Sequence, residues 1–473
     1  MFKEIYLREL LDKLVTVRFV LIIFLALLVS ISGMMGFKDY YLEGANRSIQ
    51  ARTELERKQR EAAEKRLVDA IAVQQTYYLP PRLSELLVTG HKEASPNLFE
   101  FNSFVMAIPQ ATAPTNPFYE KPLVPDWYFI VAILFSFLAL TLAYDTVSGE
   151  KFDGTLSLTL ANTISRSSFL LAKYSALMSI LVMAMILSGL LWIILALSYG
   201  LPVLTASFIK NIALFGFLSV VYLSLITLGG MLVSVWIKSP SAGMVMLLAV
   251  WVFITFLVPG TGRLIAERMG GVVSEKELLD MHTQVRRDMF DSLPEGSKAG
   301  SWGGDKKYQL DPEGRFALET RIREAIHRLN VEHVSNQLYQ VRKTMSILSI
   351  SPATAFKTIS EAIAGVGIVR LNRLIGDIQI YQKTLRDFYF DTDRNDPDSR
   401  HLLLPQPSSS YQTYGSQKSV DYESIPKFVE RDPSVAEALN DAGRQLVYLL
   451  FLNIFLFALT WVSFLRADVR RMG

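Results

Sequence analysis

Residues able to do bond-making chemistry are few in this chain. There are five histidines, His91, His282, His327, His333 and His401, and none falls in an H-E-x-x-H pattern. His327 and His333 stand six apart, so they do not share a helical face as a metal-binding i,i+4 pair would. Cysteine is absent, which removes disulfides, Cys-based zinc sites and thiol nucleophiles. No G-x-x-x-x-G-K-[ST] phosphate loop occurs, and SWGGDKK lacks both its spacing and its Ser/Thr. No catalytic residue and no metal ligand is therefore assigned, and no cofactor is expected on this chain.

What remains is one charged segment, Asp145 to Lys173, reading DTVSGEKFDGTLSLTLANTISRSSFLLAK. Ser148 opens it, and Gly149 and Gly154 bracket Glu150, Lys151, Phe152 and Asp153. Thr155 and Leu156 then begin an apolar/polar pattern. Such a stretch can lie along a membrane surface and present its charges to a partner in the adjoining water. The same residues also suit an ordinary interfacial turn.

The elements that must position this segment are membrane spans. Half the residues are hydrophobic, and crossing about 30 Å of hydrocarbon takes roughly 20 residues almost free of charge. Six stretches qualify: 19–37, 127–144, 174–199, 212–237, 241–257 and 445–465, none containing Asp, Glu, Lys, Arg or His. The first is too long for a signal-peptide core and no small-residue cleavage site follows it, so an uncleaved anchor is expected.

Basic residues set the orientation. Lys3, Arg8, Lys13 and Arg18 precede the first span; Lys151, Arg166 and Lys173 lie between the second and third; Lys238 joins the fourth and fifth; Arg466, Arg470 and Arg471 follow the sixth. The short loop on the other side has only Lys210. Both termini, 1–18 and 466–473, are thus expected in the cytoplasm with 145–173, and 38–126 and 258–444 outside. A net charge of +3 is near balance and argues against nucleic-acid binding.

The outer regions read as mainly helical. RTELERKQREAAEKR places Glu54/Lys58, Glu56/Arg60 and Glu61/Lys65 at i,i+4, which predicts a solvated helix rising from the membrane until Pro80-Pro81 breaks it. Ser274 and Glu277 form a capping-box pattern ahead of an amphipathic helix. Val331, Val334, Leu338, Val341, Met345 and Leu348 follow a Gly-rich loop at alternating steps of three and four, the spacing of a packed seam. A third helical stretch runs from Ala353 to Tyr389. From Asp396 to Pro433 the chain is polar and Pro-rich, a loop or strap that either packs or moves. Inside the spans Asn453, Ser219, Ser224, Thr227 and Ser234 line a path or simply bond to neighbouring backbone.

SGEKFDGTL followed by ISRSSFLLAKY resembles the loop between the second and third spans of ABC-2 type permeases. FKEIYLRELLDKLVTVRF is similar to the amphipathic elbow helix before their first span, and six spans with cytoplasmic termini are their usual topology. YYLPPRLSELLVTG, SISPATAFKTISEAIAGVG and IQIYQKTLRDFYF resemble the NosY and GldF-like branch, including members with a domain of unknown function between the last two spans. The resemblance implies an all-α membrane protein of six transmembrane helices, with a mainly helical extracytoplasmic domain built from two insertions. It implies a transporter subunit, of exporter type, whose residues Ser148, Gly149, Glu150, Lys151, Phe152, Asp153, Gly154, Thr155 and Leu156 form the coupling helix, with Arg8 and Lys13 on the elbow supporting it. ATP and Mg would be held by a separate cytoplasmic ATPase, and a second permease, identical or related, would complete the path in a bacterial inner membrane. Two rivals stand beside it: a mechanotransmitter acting on an envelope partner of the outer domain, and a non-transporting receptor or scaffold.

Overall fold

A computed structural model describes residues 2–89, 96–111, 125–161, 164–293, 312–404, 414–432 and 435–467. His91, the Gly-rich loop at 297–307, Pro405, Pro407, Arg470 and Arg471 lie outside them. The described chain is mostly helix with almost no strand, and six of its helices are long and apolar enough to cross a membrane.

The first helix, α1 (Phe2–Leu14), carries Tyr6, Glu9 and Lys13 along one side, because steps of three and four return to the same face. After Thr16, whose hydroxyl caps the next helix by accepting from Phe19 N–H, α2 (Val17–Lys65) runs 49 residues without a break. At 1.5 Å per residue it is about 70 Å long, more than twice the hydrocarbon thickness. The span and the charged helix beyond it are therefore one rod.

Only part of the expected pairing on that rod forms. Glu54 meets Lys58 at 3.4 Å, but Glu56 takes Arg52 at 2.9 Å and Arg60 reaches Glu423 at 3.5 Å. Arg57, whose planar fork serves two acceptors, bonds both Glu54 and Glu61.

Next come α3 (Leu67–Ala72) and an antiparallel pair of strands, β1 (Gln75–Tyr78) and β2 (Leu98–Phe101), with Gln75 opposite Phe101. The second span is α4 (Trp127–Phe129), a π-helical stretch at Ile130–Phe135 and α5 (Ser136–Ala143). Two short helices, α6 (Ser148–Asp153) and α7 (Thr155–Ala161), lead into the third span α8 (Arg166–Ser198) and the fourth, α9 (Ala206–Trp236). The fifth combines α10 (Pro240–Val252), a π-helical stretch at Phe253–Leu257, α11 (Val258–Gly260) and α12 (Gly262–Met269). Outer helices α13 (Glu275–Asp291) and α14 (Pro312–Leu348) precede α15 (Pro352–Ala364), α16 (Gly367–Arg394) and the sixth span α17 (Val435–Arg466). The Ser274–Glu277 capping box is present at the start of α13.

α1 and the end of α17 lie at one face of the bundle with α6 and α7: Lys13 bonds Asp145 just before α6, and Arg166 bonds the carbonyls of Leu465 and Ala467. We call this the terminal face, and the opposite one the insertion face. The spans approach closely at Gly230, where an added Cβ would sit 2.6 Å from the Ala143 Cβ. Most in-span polar groups bond to backbone: Ser219 to Phe215 O, Thr227 to Leu223 O, and Asn453 across to Val221 O and back to Leu449 O.

The stretch Ala353 to Tyr389 is two helices rather than one. Gly365 and Gly367, both at positive φ (65° and 66°), break it, as residues without a Cβ readily do. The break matters because α15 leaves the outer domain and enters the bundle, where Phe356 stacks on Tyr222 with centroids 4.7 Å apart. Its apolar periodicity suits either environment, so sequence alone placed it outside. The outer core is formed by the far end of α2 with α3, the strands, α14 and α16, through Ala63, Leu67, Phe99, Leu338, Ile378 and Tyr389. The strap packs on that core through Leu403, Tyr422 and Ile425. On the predicted seam of α14, Val334, Leu338 and Leu348 are buried but Val341 is exposed.

Candidate functional site

The charged segment is stitched to the terminal face. Val147 and Ser148 donate their N–H groups to Ser234 Oγ at 3.0 Å, near the end of α9. Ser234 Oγ donates in turn to Ser148 Oγ at 3.1 Å. Lys151 Nζ donates to Val235 O at 3.1 Å, a cation at a helix C-terminus where unpaired carbonyls and the dipole favour it. Gly149 lies over Asp145, whose Cβ would be 3.6 Å from an added Cβ.

Lys173, about two turns inside α8 and only 3% exposed, ties three elements together. Its ammonium lies 2.8 Å from Glu9 Oε2 on α1 and 2.7 Å from Glu150 Oε1 on α6. Lys13, one helical face along from Glu9, bonds Asp145 Oδ1 at 2.6 Å, and Arg18 bonds the Tyr144 hydroxyl at 2.8 Å. Glu9 Oε1 and Glu150 Oε2 are buried and have no hydrogen-bond partner among the described residues. Taking out Lys173 would strand two carboxylates, a loss of about 3–5 kcal/mol for a broken buried pair.

Gly154 ends α6 in the left-handed region, with φ at 76°. It turns the chain so that α7 starts at once and Leu156 is fully buried. Phe152 and Leu158 are left 69% and 71% exposed, with Asp153 and Thr155 also exposed beside them. The segment thus has an inner side, Ser148, Glu150, Lys151 and Leu156, and an outer side, Phe152, Asp153, Thr155 and Leu158. Arg8 lies apart from both, exposed and 3.7 Å from Asp12.

Sequence reasoning read the charges of this loop either as facing a partner or as solvated on an ordinary interfacial turn. The structure instead turns Glu150 inward, because α6 is one and a half turns long and Glu150 falls on the α8 side. It also brings in Glu9, Asp145, Lys173 and Ser234, which sequence reasoning did not assign to the site. The available signals were the i,i+4 step from Glu9 to Lys13 and a lone lysine before a charge-free run.

A second charged cluster closes the insertion face. Arg370 on α16 forks onto Glu430 at 2.8 and 2.9 Å and reaches Glu85 at 3.4 Å. Arg82 bonds Glu430 and Gly365 O, each at 2.9 Å, and the Tyr77 hydroxyl adds a bond to Glu430 of 2.8 Å. Burial works against the Glu430 carboxylate, but the hydrogen bonds and charge of Arg370 and the charge of Arg82 outweigh it, holding its carboxyl below the ordinary value. This cluster bolts the first insertion to the second. Among the described residues no group of three or more His, Cys, Asp or Glu is placed to hold a metal.

A six-span helical bundle with a short two-helix element stapled across its terminal face defines a multi-pass membrane protein. Residues 4–469 match the ABC-2 family transporter protein family, nearly the whole chain, and the chain belongs to that family. It is therefore a permease subunit of an ABC transporter, embedded in the membrane, of a family whose members do not themselves hydrolyse ATP and which implies a cytoplasmic ABC ATPase as partner. A comparison with curated proteins finds no match.

Proposed function

We propose that the chain is the permease of an ATP-driven exporter in a bacterial inner membrane, and that α6 and α7 are its coupling element. The observation that carries this is the outer side, Phe152, Asp153, Thr155 and Leu158, riding on a segment tied to α1, α8 and α9. An apolar ring and an aliphatic side chain raised on a rigid base suit a groove on a partner ATPase, with Asp153 setting register. Closure of two ATPases, each holding ATP and Mg, would pull on α6. Lys173 and Glu9 would pass that displacement to α8 and α1, and Ser234 to α9.

The terminal face takes Lys3, Arg8, Lys13, Arg18, Lys151, Arg166, Lys238 and Arg466, against Lys210 on the other short loop, which supports a cytoplasmic terminal face. A second permease, identical or related, would complete the path, since one six-helix unit offers only half of a two-sided route. The looser motifs of the insertions favour the NosY and GldF-like branch.

One observation favours a second reading. Because α2 runs unbroken from the terminal face into the outer domain, ATP-driven movement of the bundle could act on an envelope partner with nothing carried across.

Purification from the native membrane in mild detergent tests the coupling element. The expected result is a co-purifying ATPase that is lost, or loses its activity, in Phe152→Glu with Leu158→Glu while the permease stays monodisperse. An intact chain whose ATPase association and activity are unchanged by that pair sinks the assignment.

A further inference from the structure

Helix α13 lies along α14 with little of itself buried. Of its described residues Leu278 alone is buried, and Met289 and Phe290 near its far end rest on the cluster of Leu318, Ile322 and Ile326. The two helices run antiparallel, since His282 meets Asn330 while Phe290 meets that earlier stretch of α14. A hinge precedes α13. Gln340 on α14 pins the end of α12 by donating to Ala266 O at 2.7 Å and Gly270 O at 3.3 Å. Gly270 and Gly271 then follow at positive φ, 58° and 81°, with nothing within 4 Å of an added Cβ at either. Two residues without a Cβ in open space let the chain beyond them swing while the part before them stays fixed.

The polar contact between the two helices is made of imidazoles. His282 on α13 lies against Asn330 of α14, and His333 stands about one turn along α14 from Asn330. His333 and Asn330 are 5% and 3% exposed. Nε2 of His282, Nδ1 of His333 and Oδ1 of Asn330 are buried and make no hydrogen bond among the described residues. Arg286, one turn on from His282, adds a positive charge beside that ring. Arg323 of α14 faces Arg286 in turn and has Glu319 3.9 Å away. Glu275, exposed at the start of α13, acts on His333. His327 belongs to another contact, where it accepts from Met106 N–H at 3.3 Å and faces Arg386 of α16.

A neutral imidazole fits this interface better than an imidazolium. The added charge would sit out of water beside Arg286 and a second histidine, and such burial is costly. Burial holds both rings below the ordinary 6.5; Arg286 adds to this at His282 and His282 at His333, while Asn330 and Glu275 pull the other way. With α13 lifted, both rings return to water and to the ordinary value, so the packed form binds fewer protons than the lifted one. Its advantage is complete above pH 6.5 and is lost as pH falls through the lower packed values. We infer that α13 is an acid-released latch, lifting from α14 about Gly270 and Gly271 when His282 and His333 take up protons, and baring Leu278, Leu318, Ile322 and Ile326 to the water on the insertion face. The inference does not depend on what the bundle carries.

Hydrogen–deuterium exchange of the full-length chain in lipid nanodiscs tests it, read peptide by peptide in steps from about pH 7.5 to about pH 4. Labelling times are scaled for the pH dependence of intrinsic exchange. Amides of α13 are expected to exchange several-fold faster at about pH 5.5 than at about pH 7.5, reversibly, while those of α16 hold steady. His282→Gln with His333→Gln keeps two polar side chains that take up no proton, and should abolish the gain. The readout is the difference between the two pH values, whatever the pair does to absolute rates. Should that pair fail to fold, the midpoint in the unmodified chain decides alone.

No gain in the unmodified chain would overturn the latch. A gain that survives both substitutions, or whose midpoint falls near the carboxylate value of about 4.3, would overturn the histidine assignment. Equal gains across α13, α14 and α16 would mean loosening of the whole outer domain and overturn the hinge.

Discussion

At the insertion face Glu430 accepts hydrogen bonds from both Arg370 and Arg82 and from Tyr77, so that its two oxygens are fully engaged. At the terminal face Lys173 holds Glu9 and Glu150, and each keeps a buried oxygen with no hydrogen-bond partner among the described residues. A carboxylate bonded on both oxygens, as Glu430 is, holds firmly what it joins, whereas spare acceptors leave room for a second arrangement. The first cluster joins two insertions that must form one outer domain. The second joins α1, α6 and α8, whose relative positions a coupling stroke would have to change.

The comparison breaks most directly at Arg370. Arg370→Met strips Glu430 and Glu85 of their shared partner and should lower stability by about 3–5 kcal/mol, read as the thermal unfolding midpoint of the solubilised chain. A shift corresponding to less than about 1 kcal/mol would mean the cluster is solvated in the working protein and is not a clamp.

pH gives a gentler version. The Glu430 carboxyl is held below its ordinary 4.5 in the folded chain, so the unfolded chain binds that proton more readily. The stability it contributes is complete above pH 4.5 and is lost as pH falls through the lower folded value. The gap in unfolding midpoint between the unmodified chain and Glu430→Gln should hold steady at neutral pH and narrow below that point. A gap that widens on acidification would reverse the sign assigned to Glu430.

Much of this architecture is legible in the sequence because membranes impose a simple rule, about 20 charge-free residues per crossing, and the six spans obey it. The capping box at Ser274 is local and equally readable. What fails is anything decided by long-range contact. The QTYY run of β1 is too short to signal a strand until LFEF pairs with it. The apolar stripe of α15 reads the same whether it faces an outer core or Tyr222 inside the bundle. Glu150 looks like its neighbour Asp153 in sequence, and only the position of Lys173 on another helix tells the inward carboxylate from the outward one.

Glu150→Gln sharpens the contrast. It removes one of two carboxylates competing for Lys173 and leaves the Lys173–Glu9 pair, so stability should change by no more than about 1 kcal/mol. ATPase activity of the complex should nonetheless fall several-fold, because the link from α6 to α8 is weakened. Loss of stability without loss of activity would make the terminal cluster a clamp like its counterpart.

The smallest expected effect falls on Gly154. At φ 76° an alanine pays for its Cβ with about 1 kcal/mol. Asparagine tolerates the left-handed region better and should recover most of that loss. If the turn between α6 and α7 sets how Phe152 and Leu158 are raised, ATPase activity should follow the same order, glycine above asparagine above alanine. Should alanine lower the unfolding midpoint yet leave activity untouched, the turn would be a packing feature, and the outer side would not depend on the angle that Gly154 imposes.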